Sequence, residues 1–399
     1  MSSLQVRDRN NNPALEIAFA SQYQLAWGDW GSGADTDFSG WKATPPAGFL
    51  RLGDYAKTGY DSPQTPMLVV RAIQPNALAY PTGYNQIWND RKSGADSDGS
   101  FWEPIPPAGY KALGCVIVNN HSQPALDQIV CVREDLVTLG VVGSRIWGDW
   151  GSGAASDVTL WQIVPTSPPV DSKLSYITSG SFCGHNSYAD MLSSNVAYAL
   201  AVQLPIDSNN PPTTSPVLTG TREPDPKTPP QLDAVSYLPC IMVQDDAYRN
   251  RLQAQVTDTP FYKLEKYVFY KLQSFDTNSG EGGEVSFSAT VGMSTTEQTT
   301  VTNTIGISMT AGYSSPNTTG GPSFSVTVSY SFALSESFST TLMQSQTRTR
   351  TYPIPKDGAG ALYSRTYEYQ LKRADGTIIK TWQLATDSMH FAVYPHNGS

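Results

Sequence analysis

Hydrophobic and hydroxyl side chains alternate along residues 284–347, which form the most regular pattern in the chain. Apolar residues occupy every second position over 285–293, with Ser, Thr or Gly between them. A period of two is typical of a β-strand that buries one face. After a break at residues 313–322 the alternation resumes in the opposite numbering phase over 324–334. The pattern therefore predicts long strands joined by a loop.

A hairpin in which Ala311 faces Phe324 and Met309 faces Val326 places the apolar residues of both strands on one side. These residues are Val301, Ile305, Ile307, Met309, Ala311, Phe324, Val326, Val328, Tyr330, Phe332 and Leu334. Each arm supplies the ~9–11 residues that a transmembrane strand needs, and residues 272–347 contain no Lys, Arg or His. A strand with one face on lipid and one on water fits this composition. A Ser/Thr-rich surface sheet is the alternative interpretation.

A second segment, residues 276–300, competes for the role of membrane hairpin. It would have to carry Glu281 and Glu284 across the bilayer, which is costly for ionised side chains. Glu297 and Glu336 interrupt the apolar stripe of the first hairpin. They either mark the boundary between membrane and water, act as a pH-sensitive latch, or face solvent. The hairpin with the uncharged tip is therefore favoured.

The first half of the chain contains a threefold repeat. Each copy has a box bounded by two Trp residues 14 positions apart: Trp27 and Trp41, Trp88 and Trp102, Trp147 and Trp161. Short apolar runs between the boxes, bounded by Gly, Pro and Asn, read as strands. One unit of ~60 residues cannot bury its own apolar face. We therefore expect three sheets around a pseudo-threefold axis, a β-prism, with a β-trefoil as the alternative.

Carboxylates recur at equivalent positions of the boxes. They are Asp29, Asp35 and Asp37 in the first copy, Asp90, Asp96 and Asp98 in the second, and Asp149 and Asp157 in the third. Carboxylates accept hydrogen bonds from sugar hydroxyls, and aromatic side chains stack on pyranose rings. Binding of a glycan or another receptor is therefore one interpretation. In another, the Asp residues bond backbone amides of Gly-rich turns while Trp27 and Trp41 fill the prism core; calcium binding is a third. Ala155 replaces Asp35 and Asp96 in the third copy, which is therefore expected to have lost any binding.

Composition narrows the classes of function. The 399 residues predict two domains or slightly more, and 29 Pro with 32 Gly indicate a turn-rich β protein. The net charge of −9 without a basic patch argues against a nucleic acid partner. The four His residues belong to no catalytic motif, so we expect no enzyme and no catalytic residues.

The cysteines and the start of the chain bear on cofactors and localisation. Cys115, Cys131, Cys183 and Cys240 lack metal-binding spacing, so we expect no metal and no cofactor. Cys115 and Cys131 either form a disulfide or are buried free thiols. The first residues lack the features of a signal peptide, and no apolar run approaches ~20 residues. We expect a soluble cytoplasmic protein that is released by another route and acts on target cells.

Two known families are recognisable in the motifs. The WxDxxSGA boxes, LGDY and LGCV after the PPAG turns, and CVREDLV resemble the vacuolar-protein-sorting-like domain family over roughly residues 4–204. LPCIMVQDD followed by TPFYKLEKYVFYKL is similar to the start of the pore-forming domain of Bin-type insecticidal toxins. The alternating ribbon and TYPIPKDGAGALYSRTYEYQLK resemble the elongated sheet of the aerolysin superfamily. This second resemblance covers about residues 238–395.

Together, the pattern and the resemblances predict an all-β chain. We expect a pseudo-threefold β-prism at residues 1–204, a Pro-rich linker at 205–232, and an elongated aerolysin-type antiparallel sheet domain at 233–399. The resemblance implies a β-barrel pore-forming toxin whose prism binds a cell-surface glycan or protein receptor.

Such a toxin forms a homo-oligomer on the target-cell membrane, because a lone hairpin would leave its edge N–H and C=O groups unpaired in lipid. An insect target and a second toxin component are implied by the Bin-type resemblance alone. The alternatives are a non-lytic carbohydrate-binding, lectin-like protein and a structural or trafficking protein.

Overall fold

The computed structural model describes residues 4–166, 174–191, 197–203, 206–209, 211, 214–240, 243, 245–249, 251–294, 296, 326–328 and 345–395. The chain is all-β, as the sequence predicts, and its sheets are antiparallel. The described residues fall into two compact units. The first unit takes in those of Met1–Leu204, Pro239–Phe261 and Ile305–Ser331, and the second those of Pro205–Leu238, Tyr262–Thr304 and Phe332–Ser399.

The N-terminal strands of the first unit are short, with the exception of the strand Val137–Gly148, which has 12 residues. In the first copy and its flanks they are β1 (Leu4–Arg7), β2 (Pro13–Ala20), β3 (Tyr23–Gly28), β4 (Phe38–Ala43), β5 (Leu50–Arg51), β6 (Tyr55–Thr58) and β7 (Met67–Ala72). In the second they are β8 (Leu78–Ala79), β9 (Gly83–Asn89), β10 (Ser100–Ile105), β11 (Tyr110–Lys111), β12 (Val116–Val118) and β13 (Cys131–Arg133). In the third they are β14 (Val137–Gly148), β15 (Thr159–Pro165), β16 (Leu174–Ile177), β17 (Phe182–His185) and β18 (Ala197–Gln203).

Three sheets of this unit are built from equivalent strands of the three copies. They have the orders β3-β4-β6, β9-β10-β12 and β14-β15-β17, and the third continues through β18 and β16. In each sheet the box joins the first strand to the second, so the loop of the box lies at one end of its sheet. Two further sheets, β1-β2-β7-β5 and β11-β13-β8, complete the described part of the unit.

The first Trp of each box forms the centre of the unit. Trp27, Trp88 and Trp147 are at most 3% exposed and belong to one buried cluster. The ring centroids of Trp27 and Trp88 are 5.8 Å apart, and those of Trp88 and Trp147 are 6.2 Å apart. Equivalent Trp residues in one shared core are what a three-sheet prism requires, so the predicted pseudo-threefold arrangement is confirmed.

The second Trp of each box has a different place. Trp41 packs against an outer cluster and Trp102 belongs to another, neither of which is the central core. The indole N–H of Trp41, Trp102 and Trp161 donates to the hydroxyl two residues earlier, at 2.8–2.9 Å. The interpretation that both Trp27 and Trp41 fill the prism core is therefore correct only for Trp27.

The remaining chain contributes β19 (Ile206–Ser208), β20 (Gln231–Pro239), β21 (Phe261–Asn278), β22 (Gly283–Val291), β23 (Val326–Val328), β24 (Gln346–Ile354), β25 (Gly358–Lys372) and β26 (Ile378–Tyr394), with one α-helix, α1 (Leu252–Asp258). The second unit contains a five-stranded sheet, β19-β20-β21-β25-β26, and the two-stranded ribbon β22-β24. Strands β21, β25 and β26 have 18, 15 and 17 residues. Strands of ~5–6 residues are usual in globular proteins, so this sheet is built from unusually long elements.

The ribbon has the two faces that the alternation predicts. Phe287, Ala289 and Val291 of β22 are each 1% exposed, while Ser286, Ser288 and Thr290 between them face solvent. Its partner is β24, in the register that pairs Gly283 with Ile354 and Val291 with Gln346. Within the described part of the competing segment 276–300, β21 pairs with β25 and β22 with β24, so β21 and β22 do not form a hairpin with each other in this structure.

The Pro-rich stretch that the sequence marks as a linker packs along the second unit. Leu218 is 2% exposed, in a cluster with Tyr363. The N–H groups of Leu272 and Thr228 donate to the carbonyls of Pro226 and Tyr270, so this stretch lies beside β21. Proline lacks an N–H and is accommodated at the edge of a sheet.

The cysteines are free thiols, and Cys115, Cys131 and Cys240 are buried. The disulfide considered for Cys115 and Cys131 is therefore not formed. Among the described residues no helix has the length and apolar character that crossing a bilayer requires.

Candidate receptor-binding face

The loops of the three boxes, residues 29–37, 90–98 and 149–157, form a surface that we call the loop face. In each loop the N–H of a Ser donates to the carbonyl of the Asp three residues earlier, at 2.8–3.0 Å: Ser32 to Asp29, Ser93 to Asp90, and Ser152 to Asp149. Gly33, Gly94 and Gly153 follow with φ of +71° to +77°, a conformation that favours glycine. The WxDxxSGA sequence thus specifies one turn three times.

The first Asp of the box is a structural residue. Asp29 is 3% exposed, and its carboxylate accepts the N–H of Phe38 at 2.8 Å. Asp149 is 1% exposed and accepts the N–H of Val158 at 2.9 Å. Burial raises the pKa of both carboxyls, and the backbone N–H groups oppose that shift. Both residues therefore hydrogen-bond to the backbone as the turn-stabilising interpretation expects, since each buried carboxylate binds the N–H at the far end of its own loop.

A second side chain, which sequence reasoning missed, bridges the two Asp residues at the ends of each loop. The hydroxyl of Tyr60 donates to Asp29 at 3.0 Å and lies 3.3 Å from Asp37. Tyr188 makes the equivalent hydrogen bonds to Asp149 and Asp157. Burial raises the pKa of both Tyr hydroxyls, and the carboxylates add to that shift. Both hydroxyls therefore remain protonated donors.

The second copy has a histidine at this place. The Nε2 atom of His121 lies 2.5 Å from Asp90 and 3.9 Å from Asp98. A signal for this bridging position exists in the sequence, since Tyr60 and His121 stand at the same distance after Asp29 and Asp90. The four His residues fit no catalytic motif in the sequence, and the structure gives His121 a role in the loop.

The three loops interlock in a ring. The N–H of Asp96 donates to the carbonyl of Trp30, that of Ala155 to Arg91, and that of Asp35 to Trp150, at 2.7–2.8 Å. The buried indole N–H groups follow the same order: Trp27 to Ser97, Trp88 to Ser156, and Trp147 to Thr36, at 2.6–2.9 Å. Each copy therefore holds the loop of another copy.

The ring explains why Ala155 departs from the pattern. The carboxylate of Asp96 lies so close to Gly31 that an added Cβ would come within 2.5 Å, and Asp35 lies at 2.7 Å from the same point on Gly151. The equivalent position in the second copy is Lys92, which has a side chain and a φ of +74°. Where the first and third copies have a glycine facing an aspartate, the second and third copies have Lys92 facing Ala155. The larger residue at position 92 is thus accompanied by a smaller one at position 155. The departure thus has a packing reason, and the loss of binding by the third copy stays a prediction.

The aromatic pairs of the loop face are half-buried and stack on each other. Trp30 stacks on Tyr60 at 4.3 Å between ring centroids, and its ring also lies against Gly28. Trp150 stacks on Tyr188 at 4.7 Å, lies against Gly148, and has the guanidinium of Arg145 4.6 Å from its ring centroid. These contacts reduce the ring surface on which a pyranose could stack.

Exposed carboxylates outnumber exposed cations on the loop face, where the cations are Arg91 and Lys92. The exposed carboxylates are Asp35, Asp37, Asp96, Asp98 and Asp157. A ligand of this face would therefore be recognised through hydroxyl, amine or cationic groups more than by stacking.

Most of the predicted membrane hairpin lies outside the described residues. This applies to Val301, Ile305, Ile307, Met309, Ala311, Phe324, Tyr330, Phe332 and Leu334, and to Glu297 and Glu336. Val326 and Val328 belong to β23, which extends the six-stranded sheet of the first unit by pairing with β16. The register places Ser175 opposite Val328 and Ile177 opposite Val326.

Comparison with known proteins supports the resemblance stated for the first half of the chain. Residues 13–206, slightly less than half of the chain, match the family described as Vacuolar protein sorting-associated protein 62. No curated protein sequence matches the chain.

Two solved structures show similarity to the chain. The crystal structure of GNIP1Aa from Chromobacterium piscinae is 24% identical over 46% of this chain and 37% of its own, with a TM-score of 0.40. The chain thus spans little more than a third of the length of GNIP1Aa. The crystal structure of Cry35Ab1 is 16% identical over 80% of this chain and 89% of its own, with a TM-score of 0.37.

Proposed function

We propose that the protein is a β-pore-forming toxin whose first unit binds a receptor and whose ribbon leads into a membrane-inserting hairpin. The observation that carries the proposal is the β22-β24 ribbon. Its two strands are paired over their full length, and they are the entry to and the exit from residues 292–345. Any hairpin within that segment therefore starts from a pair of strands that are already in register.

The chemistry of the ribbon favours a barrel strand. On one face Ser286 pairs with Thr351 and Ser288 with Thr349, with 3.1 Å between the hydroxyl oxygens. On the other face Phe287 packs 5.1 Å from Phe391 between ring centroids. On β22 one hydroxyl face and one apolar face give the pattern of a barrel strand. On β24 Arg348 and Arg350 stand opposite Ala289 and Phe287, so this part of the ribbon suits the section of a barrel that lies outside the lipid. The apolar face of β22 is buried in this structure, so this strand exposes no hydrophobic stripe.

Charge limits the length of the proposed insertion. No cationic side chain occurs between residues 272 and 347, and Arg348 and Arg350 then stand exposed on β24. Long cationic side chains at the end of a membrane segment reach the headgroup region. We therefore place the membrane boundary at or before Arg348.

The loop face is the proposed receptor-binding surface. Its exposed carboxylates make it suited to a glycan or a protein receptor with hydroxyl or cationic groups. Assembly into a homo-oligomer accompanies insertion, because only a closed barrel pairs every edge strand. An insect cell membrane is the first target to test, and a second protein component is a further part of the proposal, on the resemblance to Bin-type toxins.

Dye release tests this function directly. Vesicles from insect midgut membranes, loaded with a fluorescent dye, should release it when the purified protein is added. Binding to the vesicles without release at any concentration would instead support the rival lectin-like function. Absence of both would exclude these membranes as the target.

An engineered disulfide tests which segment moves. Ser175→Cys with Val328→Cys joins paired residues of β16 and β23 and should prevent the second arm from leaving the first unit. We expect dye release to fall at least tenfold and to return with a reductant, while vesicle binding is unchanged.

The matched control joins two strands that the proposal moves together. Ser286→Cys with Thr351→Cys links β22 to β24 at an exposed pair, and this variant should still release dye. If the control loses activity and the Ser175–Val328 tether does not, the assignment of the moving segment is wrong.

A further inference from the structure

The second copy of the repeat assembles a nitrogen and carboxylate donor set on the loop face. Atoms of Asp90, Asp98 and His121 lie within 4.8 Å of one another, the only group of this kind among the residues that the structure describes. Asp90 is 5% exposed, His121 is 17% exposed at its side chain, and Asp98 is 69% exposed. The group therefore has a fixed inner carboxylate, a half-buried imidazole, and an outer carboxylate that is free to move.

The other two copies show what is special about this group. There the same pair of carboxylates is bridged by Tyr60 or Tyr188, whose hydroxyls stay protonated and donate to the carboxylates. Trp30 and Trp150 cover those rings, whereas the second copy has Arg91 at the corresponding position. The second copy alone combines an imidazole with two carboxylates and leaves the ring without an aromatic cover.

We propose that Asp90, Asp98 and His121 form a binding site for a divalent transition-metal ion of the zinc class. Imidazole nitrogen and carboxylate oxygen are the donors that such ions take, at about 2.0–2.2 Å. Two ligands of one tetrahedral ion are then roughly 3.3–3.5 Å apart. The Nε2 of His121 must move away from Asp90, now at 2.5 Å, and Asp98, now at 3.9 Å, must move closer. Both changes follow from one small shift of the imidazole.

Metal binding requires the imidazole proton of His121 to move from Nε2 to Nδ1. In this structure the Nε of Arg91 donates to Nδ1 of His121 at 3.3 Å, which is the arrangement of the tautomer whose Nε2–H donates to Asp90. Metal binding needs the Nε2 lone pair, and the proton then resides on Nδ1. Arg91 must turn away, which its exposed position allows. Three protein ligands leave a coordination position open to water or to a group from outside.

Calorimetric titration of the untagged full-length protein with zinc sulfate tests this site. We expect one ion per chain, and at least a tenfold loss of affinity in His121→Tyr. This substitution is conservative for the fold, because the chain itself has Tyr at the equivalent positions 60 and 188. Asp98→Asn should weaken binding as well, and circular dichroism should confirm that both variants are folded.

A matched control and a second ion make the result decisive. His185→Gln removes a histidine of the same unit that bonds only to the carbonyl of Ala189 among the contacts described, and it should leave zinc affinity unchanged. Absence of zinc binding below about 100 µM, or equal affinity in His121→Tyr, would overturn the proposal. Stronger binding of calcium than of zinc would also overturn it, since that would indicate an oxygen-only site. The outcome does not depend on whether the protein forms pores.

Discussion

Replacement of single carboxylates should separate the structural from the receptor-binding role of the loop face. Asp29→Ala removes the acceptor of the Phe38 N–H, and Phe38 is fully buried. A buried donor left without a partner costs about 1–3 kcal/mol. The hydroxyl of Tyr60 loses its closest acceptor in the same variant. We therefore expect the free energy of unfolding to fall by roughly 2–3 kcal/mol.

Asp37→Ala changes an exposed carboxylate of the same loop, whose described contact is the 3.3 Å approach of Tyr60. Exposed substitutions of this kind usually change stability by less than ~0.5 kcal/mol. The double variant Asp37→Ala with Asp98→Ala should therefore melt close to the wild type. If the loop face binds the receptor, that variant should nevertheless lose cell binding.

Two measurements decide between these roles. Denaturant titration followed by tryptophan fluorescence reports on stability, because Trp27, Trp88 and Trp147 form the core next to the loops. Flow cytometry with labelled protein reports on cell binding. A loss of stability in the double variant as large as that of Asp29→Ala would make the exposed carboxylates structural. Unchanged binding by a stable double variant would remove them from the receptor site.

Two further predictions concern the interlocked loops and the charge buried in the second unit. Gly31→Ala should destabilise the protein by about 1 kcal/mol more than Gly109→Ala. Both glycines have φ of +80°, but an added Cβ at Gly31 would meet the carbonyl of Gly94 at 3.1 Å and the Asp96 carboxylate, whereas Gly109 has nothing within 4 Å; equal melting temperatures would refute this close packing. Hydrogen bonds from two lysines and a tyrosine overcome the opposing effect of burial and lower the pKa of Glu265 to about 2. Since the folded pKa lies below the ordinary value near 4.5, its contribution is present above that pH and is lost as pH falls towards 2. Glu265→Gln should therefore flatten the loss of stability between about pH 5 and 2, by up to ~3 kcal/mol, in unfolding experiments across that range.

The features that the sequence predicts correctly share a physical origin in periodic burial. A constant Trp spacing places equivalent side chains in one core, and an alternating run specifies the buried face of β22. Neither pattern specifies which strand a given strand pairs with. The alternation leaves open whether β22 pairs with a strand directly before it or with β24, since both choices bury the same face. The pairing of β23 with β16 is hidden for the same reason.

The roles of the carboxylates on the loop face do not follow from the sequence, because these residues have the same spacing in each copy but different surroundings. Asp29 and Asp37 stand eight residues apart in one box, yet the first is buried and the second exposed. The difference arises from Tyr60, which approaches from outside the box. Comparison of whole repeats, rather than of boxes alone, would have found the bridging residue in the first two copies.

The differences between copies are best understood as pairs of residues that meet across the ring. The N–H of Asp96 bonds to Trp30, just before Gly31, and its carboxylate lies where a Cβ of residue 31 would be. Ala155 bonds in the same way to Arg91, just before Lys92. Lys92 carries the Cβ that Gly31 lacks, so an aspartate at position 155 would meet it at close range. The loss of a carboxylate at position 155 and the gain of a side chain at position 92 are therefore two parts of one change in packing. The third copy retains Asp157 on the loop face. A binding role for that copy should be judged from its exposed groups and not from the residue that packing has replaced.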